Sequence, residues 1–222
     1  MATARNHGLL IVLVGPSGVG KSTISRRLAE QMNVWYTVSA TTRAKRPGDD
    51  NGKVYDHIDK GEFFRRLDSE QFLEYAQVYG DYYATPKHPA LDYLGNGQDV
   101  LLEIDVQGAL QVRYHYSDAL LIFILPPDEP TLLQRLNDRA REGPGEIDKR
   151  FRAAKREVHM AKGSRAFDYM VVNDTVDRAT EDIIRIIRHR RAEVQNRTLT
   201  TTGTTTRTAT STTSTTSTTR GI

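Results

Sequence analysis

The chain has no cysteine among its 222 residues. That excludes disulfides and every thiolate metal site, and with them the small cross-linked scaffolds of secreted proteins. Charge of one sign is scarce too: 31 Lys and Arg face 28 Asp and Glu, a net charge of +3. So mild a balance leaves no electrostatic footprint for nucleic acid, and no nucleic-acid partner is expected. Long apolar runs are missing. The longest near the N-terminus is "LLIVLV" at 9–14, far short of the ~20 residues that span a bilayer and too short for a signal segment. The expectation is a soluble, cytoplasmic protein with no membrane partner.

Apolar residues make up only 38% of the chain. The deficit sits at one end, where 198–222 read "TLTTTGTTTRTATSTTSTTSTTRGI". With almost no apolar anchors this stretch cannot offset its ordering entropy, so disorder is predicted there. The rest, 1–197, is long enough for one α/β domain with an ordinary core.

Within that part strands alternate with helices. "LLIVLV", "DVLLEID" and "ALLIFILPP" are apolar throughout and read as strands buried on both faces. "STISRRLAEQM" places Ile24, Leu28 and Met32 on one helical face. "DKGEFFRRLDSEQ" predicts a short helix with Phe63, Phe64 and Leu67 inward. "EIDKRFRAAKREVHMAK" and "DRATEDIIRIIRHRRAEV" predict two later helices, preceded in one case by "EGPGE", a flexible break. This order argues for a parallel sheet flanked by helices. "FLEYAQVYGDYYAT" breaks the pattern: it alternates around a Gly and predicts an antiparallel hairpin. A small inserted β-lobe over about 39–90 follows from it.

"GPSGVGKST" fits G-x-x-x-x-G-K-[ST] between a buried strand and an amphipathic helix. The physics favours polyphosphate. The glycines let several N–H groups point into one concavity, the helix adds its positive end, Lys21 brings a full charge, and the Ser22 hydroxyl suits Mg²⁺. Gly15, Pro16, Ser17, Gly18, Val19, Gly20, Lys21, Ser22 and Thr23 are therefore assigned to a nucleoside triphosphate. Asp105 ends the apolar run "VLLEID" where a carboxylate holds Mg²⁺ through water. Its competing reading is a helix N-cap.

The acceptor is read from the inserted lobe. Arg43 and Arg46 lie among Ser39, Thr41 and Thr42, and guanidinium forks suit phosphate oxygens. Tyr55 and Tyr83 add phenolic donors. Lys45 reads as a solvated loop residue. Glu74 stands out as a carboxylate in an apolar strand. It pairs badly with phosphate but well with two adjacent N–H donors, which guanine offers at N1 and N2. Adenine would leave it buried and unpaired. The alternative is an outward-facing strand residue.

"GPSGVGKST", "SATTRAKRPGDDNGKVY", "FLEYAQVYGDYYAT", "EIDVQGA" and "DRAREGPGEIDKR" occur in the order and spacing of guanylate kinases. Over about 8–195 the chain resembles that family. The resemblance implies a P-loop NTPase-type core (8–38, 91–134, 160–196), a GMP-binding lobe (39–90) and a helical lid (135–159). It implies ATP and GMP as substrates, ADP and GDP as products, and Mg²⁺ with ATP. Carried over by position, Ser39, Glu74 and Glu103 would contact guanine with Thr85 alongside. Arg43, Arg46, Tyr55 and Tyr83 would hold the GMP phosphate. Arg135, Arg139 and Arg150 would converge with Lys21 on the transferring group, and Asn173 would lie near adenine. The family usually has Asp where Glu103 stands, and Ser is common at Thr85. Two alternatives stay open: an inactive guanylate-kinase-like binding module, and a kinase for another nucleoside monophosphate. Both a monomer and a homodimer fit the sequence.

Overall fold

The computed structural model describes residues 7–46, 49, 55–139 and 144–205, with backbone alone for Arg139, Pro144 and positions past 196. Two sheets organise it. The first is parallel, with strand order β2-β7-β1-β8-β9: β2 is Val34–Tyr36, β7 Asp99–Glu103, β1 Leu10–Val14, β8 Leu120–Leu125 and β9 Tyr169–Val172. Alternating side chains of β1 feed two separate cores. Ile11 and Leu13 pack with Ile24 and Leu28 of α1 (Lys21–Gln31) and Ile183 and Ile187 of α7 (Val176–Thr205). Leu10, Val12 and Val14 pack on the other face with Ala90 of α3 (Lys87–Gly95) and Ala109 and Val112 of α4 (Val106–His115). That two-sided burial is why this strand is apolar at every position.

The second sheet has order β4-β3-β6-β5 and lies between β2 and β7 in the chain. Here β3 is Ser39–Thr41, β4 Tyr55–His57, β5 Phe72–Val78 and β6 Asp81–Pro86. β3 runs parallel to β4, while β5, β6 and β3 pair antiparallel. The hairpin turns at Tyr79 and Gly80, both at positive φ (51° and 89°), as a two-residue primed turn requires. A register shift between Phe72 and Glu74 breaks the strict alternation of β5. Leu73 then enters the α3/α4 core, while Glu74, Ala76 and Val78 line a cavity. α2 (Lys60–Asp68) covers this sheet, capped by Asp59, whose side chain accepts from the Glu62 N–H.

α5 (Glu129–Arg139) and α6 (Pro144–Gly163) pack on each other through Leu132, Leu136, Phe151 and Ala154.

Three expectations about elements change. Phe64 is not inward: it is 40% exposed and edges onto Tyr82, because one turn of α2 has room for a single fully buried ring, Phe63. "EGPGE" is not all break. Pro144 opens α6, a position where its missing N–H costs nothing. The last helix runs on to Thr205, past the Thr198 boundary predicted from composition. Extending a helix already anchored by Ile183 and Ile187 needs one hydrogen bond per residue and no new nucleus. The remainder of that expected tail, 206–222, lies outside the described residues.

Candidate functional site

β1 delivers the chain at Val14 into the loop 15–20, which ends at the N-terminus of α1. Gly20 caps that helix at φ 99°, with no side-chain cap and no acidic residue in the first turn. The orphan N–H groups there remain available to an anion. A Cβ on Gly20 would strike the Asn173 amide at 2.5 Å. Lys21 Nζ donates back to the carbonyls of Gly15 and of Pro16, the latter at 3.1 Å. Ser22 Oγ donates to Glu103 Oε1 at 2.6 Å.

This loop forms one end of a cavity of about 680 Å³. The inserted sheet forms the other end with Ser39, Arg43, Arg46, Tyr55, Glu74 and Tyr83, and α6 contributes Glu146, Arg150 and Glu157. Residues expected at each of the two ligands thus share one space, though not all of them do.

Glu74 is only 4% exposed, which decides against an outward-facing strand residue. Thr85 stands opposite it across the hairpin, and its Oγ1 donates to Glu74 Oε1 at 2.6 Å. Burial pushes the Glu74 carboxyl up to about 7, with the Asp105 charge adding to the rise and the Thr85 bond opposing it. Thr85 itself is fully buried behind Glu74, not on the cavity wall.

Arg43 is buried, and its Nη2 donates to Asp49 Oδ2 at 2.8 Å. The same oxygen accepts the Arg46 N–H, also at 2.8 Å. Burial is the largest influence and pulls the Arg43 guanidinium down; the bond to Asp49, with the charges of Tyr83, Asp49 and Tyr55, together more than offsets it and holds the group above its ordinary value. Its guanidinium also stacks over the Tyr55 ring at 5.3 Å. Burial, reinforced by Glu103, pushes the Tyr55 phenol up to about 12, so it is a hydrogen-bond donor at neutral pH. Lys45 is exposed and off the cavity wall, as a solvated loop residue would be.

Several expected residues are placed differently. Glu103, expected at the base, has both oxygens engaged elsewhere: Oε1 by Ser22 and Oε2 by the Tyr36 hydroxyl at 2.6 Å. Its extra methylene relative to Asp carries the carboxylate between the loop and β2. Asp105 does cap α4, accepting the Gly108 N–H at 2.9 Å, and still lines the cavity. Burial raises its carboxyl, a change Lys21 opposes.

Arg135 is not at the cavity. Its fork takes the Asn173 carbonyl at 3.2 Å from both Nη atoms, the backbone acceptor at the end of β9. Asn173 is 1% exposed and spends its side-chain N–H on the Val19 carbonyl at 2.7 Å, so it braces the loop from behind instead of facing a base. Val19 is wholly buried, and neither it nor Thr23 lines the cavity. Arg150 does line it, 5.9 Å over the Tyr79 ring of the hairpin turn. The side chain of Arg139 lies outside the described residues.

Residues that sequence reasoning missed are Tyr36, Asp49, Gly108 and Glu157. Gly108 had a visible signal, a glycine inside an apolar helix, which often marks a close approach. For Tyr36 and Glu157 the signal is purely spatial. Glu157 reaches the cavity from α6, and burial pushes its carboxyl up to about 7, opposed by Lys21.

Fold and site together define a P-loop protein whose phosphate loop opens into the same cavity as Arg43, Arg46, Tyr55 and Tyr83. The guanylate kinase family model matches residues 7–190, and the chain belongs to that family. It is similar to the guanylate kinase of Clostridium tetani, 44% identical over 187 residues that cover 84% of this chain and 88% of the relative. It is also similar to that of Caldanaerobacter subterraneus subsp. tengcongensis, 44% identical over 191 residues, 86% of this chain and 91% of the relative. Among solved structures it resembles the guanylate kinase from Anaplasma phagocytophilum, with a TM-score of 0.70 and 30% identity, covering 84% of this chain and 87% of that one.

Proposed function

We infer that this chain is an ATP:GMP phosphotransferase that moves the γ-phosphoryl group of ATP to GMP, giving ADP and GDP. The observation that carries the reading is the buried Glu74 carboxylate in one cavity with the phosphate loop. A carboxylate there selects a base with two adjacent N–H donors, and the loop takes a polyphosphate.

Phosphoryl transfer asks for positioning and neutralised charge more than for covalent chemistry. Arg43, Arg46, Tyr55 and Tyr83 hold the GMP phosphate, whose oxygen attacks the γ-phosphorus in line. No general base is needed, because that phosphate is already largely ionised at pH 7. Lys21 leaves the loop carbonyls for the β- and γ-phosphates. Arg150 faces the transferring group from α6. Ser39 and Glu74 hold guanine, with Thr85 orienting Glu74. Arg135 acts through Asn173, tying α5 to the loop that Asn173 braces.

The residues present fit Mg²⁺. Ser22 keeps its oxygen lone pairs while its proton goes to Glu103, and Asp105 stands at the same wall for a water-mediated contact. Bound with ATP, the ion would neutralise the β- and γ-oxygens. We assign the second sheet to the acceptor and α5–α6 to a lid whose closure excludes water. The activity belongs to purine nucleotide metabolism in the cytoplasm. Among the described residues no helix is long and apolar enough to cross a membrane.

ADP release from ATP that depends on added GMP tests the reading. Purified protein that forms no ADP with any nucleoside monophosphate would favour the inactive binding module.

A further inference from the structure

We propose that Gly108 is a positioning residue for base recognition: its bare Cα is the wall that holds the Glu74 carboxylate in place. The proposal rests on Glu74 being the guanine contact. Gly108 is the third residue of α4 and buried. Its backbone gives no reason for glycine, since it is not among the residues at positive φ. Its N–H bonds Asp105 Oδ1, and an alanine would donate that bond equally well. What alanine would not keep is space. A Cβ at this position would lie 2.0 Å from Glu74 Oε2 and 2.9 Å from Glu74 Cδ.

Glu74 is therefore pinched. β6 holds Oε1 through Thr85 at 2.6 Å, and the first turn of α4 abuts Oε2. In Gly108→Ala the carboxylate must retreat from 2.0 Å to beyond 3.0 Å merely to escape a clash, and to 3.4 Å or more for ordinary contact. A carboxylate end is the softer partner, as it turns about side-chain bonds while the helix backbone is fixed by packing. The damage then falls on the guanine edge, and a displacement of about 1 Å in a positioning group costs up to about a hundredfold.

The experiment is steady-state kinetics of wild type, G108A, E74Q, E74D and E74D/G108A, with GMP and IMP as acceptors and melting temperatures alongside. IMP lacks the 2-amino group and offers Glu74 a single donor. We expect G108A to raise KM for GMP about tenfold or more, to leave KM for ATP within twofold, and to shrink the preference for GMP over IMP. In the E74D background the shorter side chain leaves room for the methyl group, so adding G108A should change KM for GMP by less than twofold. An E74Q variant with wild-type KM for GMP would remove the guanine reading itself, and this proposal with it. If E74Q is impaired while G108A behaves as wild type, the proposal alone fails. Should G108A not fold, folded E74D/G108A supports the steric contact with Glu74. Loss of fold in both assigns Gly108 to helix packing and overturns the proposal.

Discussion

At the residue scale the proposed selectivity for guanine turns on Glu74. Its carboxyl is pushed up to about 7, first by burial. Only the carboxylate can accept both guanine N–H groups, so kcat/KM for GMP should fall about tenfold per pH unit below about 7. E74Q should lose that limb and keep only the one from the substrate phosphate, whose second pKa is about 6. A wild-type profile identical to that of E74Q would show that Glu74 does not titrate in the free enzyme. Stability carries the same signature. An unfolded Glu releases its proton near 4.5, whereas folded Glu74 keeps it up to about 7. Across that window the native state binds more protons, so the stability of the ligand-free protein falls as pH rises. Melting curves should show wild type losing ground against E74Q between pH 5 and 7, since Gln has nothing to titrate. Glu74 was legible in the sequence because a charge inside an apolar alternation is conspicuous. The Tyr36–Glu103–Ser22 chain was not, because its members lie far apart in sequence and only the adjacency of β2, β7 and the loop brings them together. Lys21 was legible from spacing alone. Lys21→Ala should lower kcat at least about a hundredfold, the scale seen when one preorganised charge partner is lost, with the melting temperature nearly unchanged. A variant with near-normal turnover would take Lys21 out of the mechanism.

At the scale of elements, the end of β9 supports the phosphate loop. Asn173 donates to the Val19 carbonyl, Arg135 of α5 clasps the Asn173 carbonyl, and Gly18 packs against Leu136 of α5, where a Cβ would lie at 3.0 Å. The loop is thus braced by a strand end and by α5. Asn173→Ala removes a buried bond and should cost about 1–3 kcal/mol of stability. It should raise KM for ATP severalfold and leave KM for GMP nearly unchanged. Equal effects on both constants would mean that Asn173 serves the whole sheet and not the loop. The long parallel strands were legible because burial on both faces makes them continuously apolar. β4 was not, since Tyr55–His57 is a three-residue strand made by pairing with β3. The roles of Arg135 and Asn173 were misplaced for a related reason. Position in a motif says that a residue is near a site, not which way its polar atoms point.

At the scale of the whole molecule, two sheets and α6 line one cavity, and the chain reaches it from the loop after β1, the start of α1, and from β3, β4, β5, β6, β7 and α6. No single segment holds both ligands, which is why the acceptor reading needed separated motifs in a fixed order. Among the described residues, the last one on the cavity wall is Glu157 of α6. Ending the chain at 197 should leave kcat and both KM values within about twofold of the full-length protein; a larger loss in that truncation would place the C-terminal segment at the site or at a subunit contact. The central claim is that a carboxylate and a phosphate loop in one cavity make an enzyme selective for guanine as acceptor base. The most direct measurement is kcat/KM for GMP against AMP, with dGMP, UMP and CMP alongside, at saturating ATP and Mg²⁺. A site built to satisfy two N–H donors should prefer GMP over AMP by on the order of a thousandfold or more. AMP phosphorylated within tenfold of GMP would contradict it.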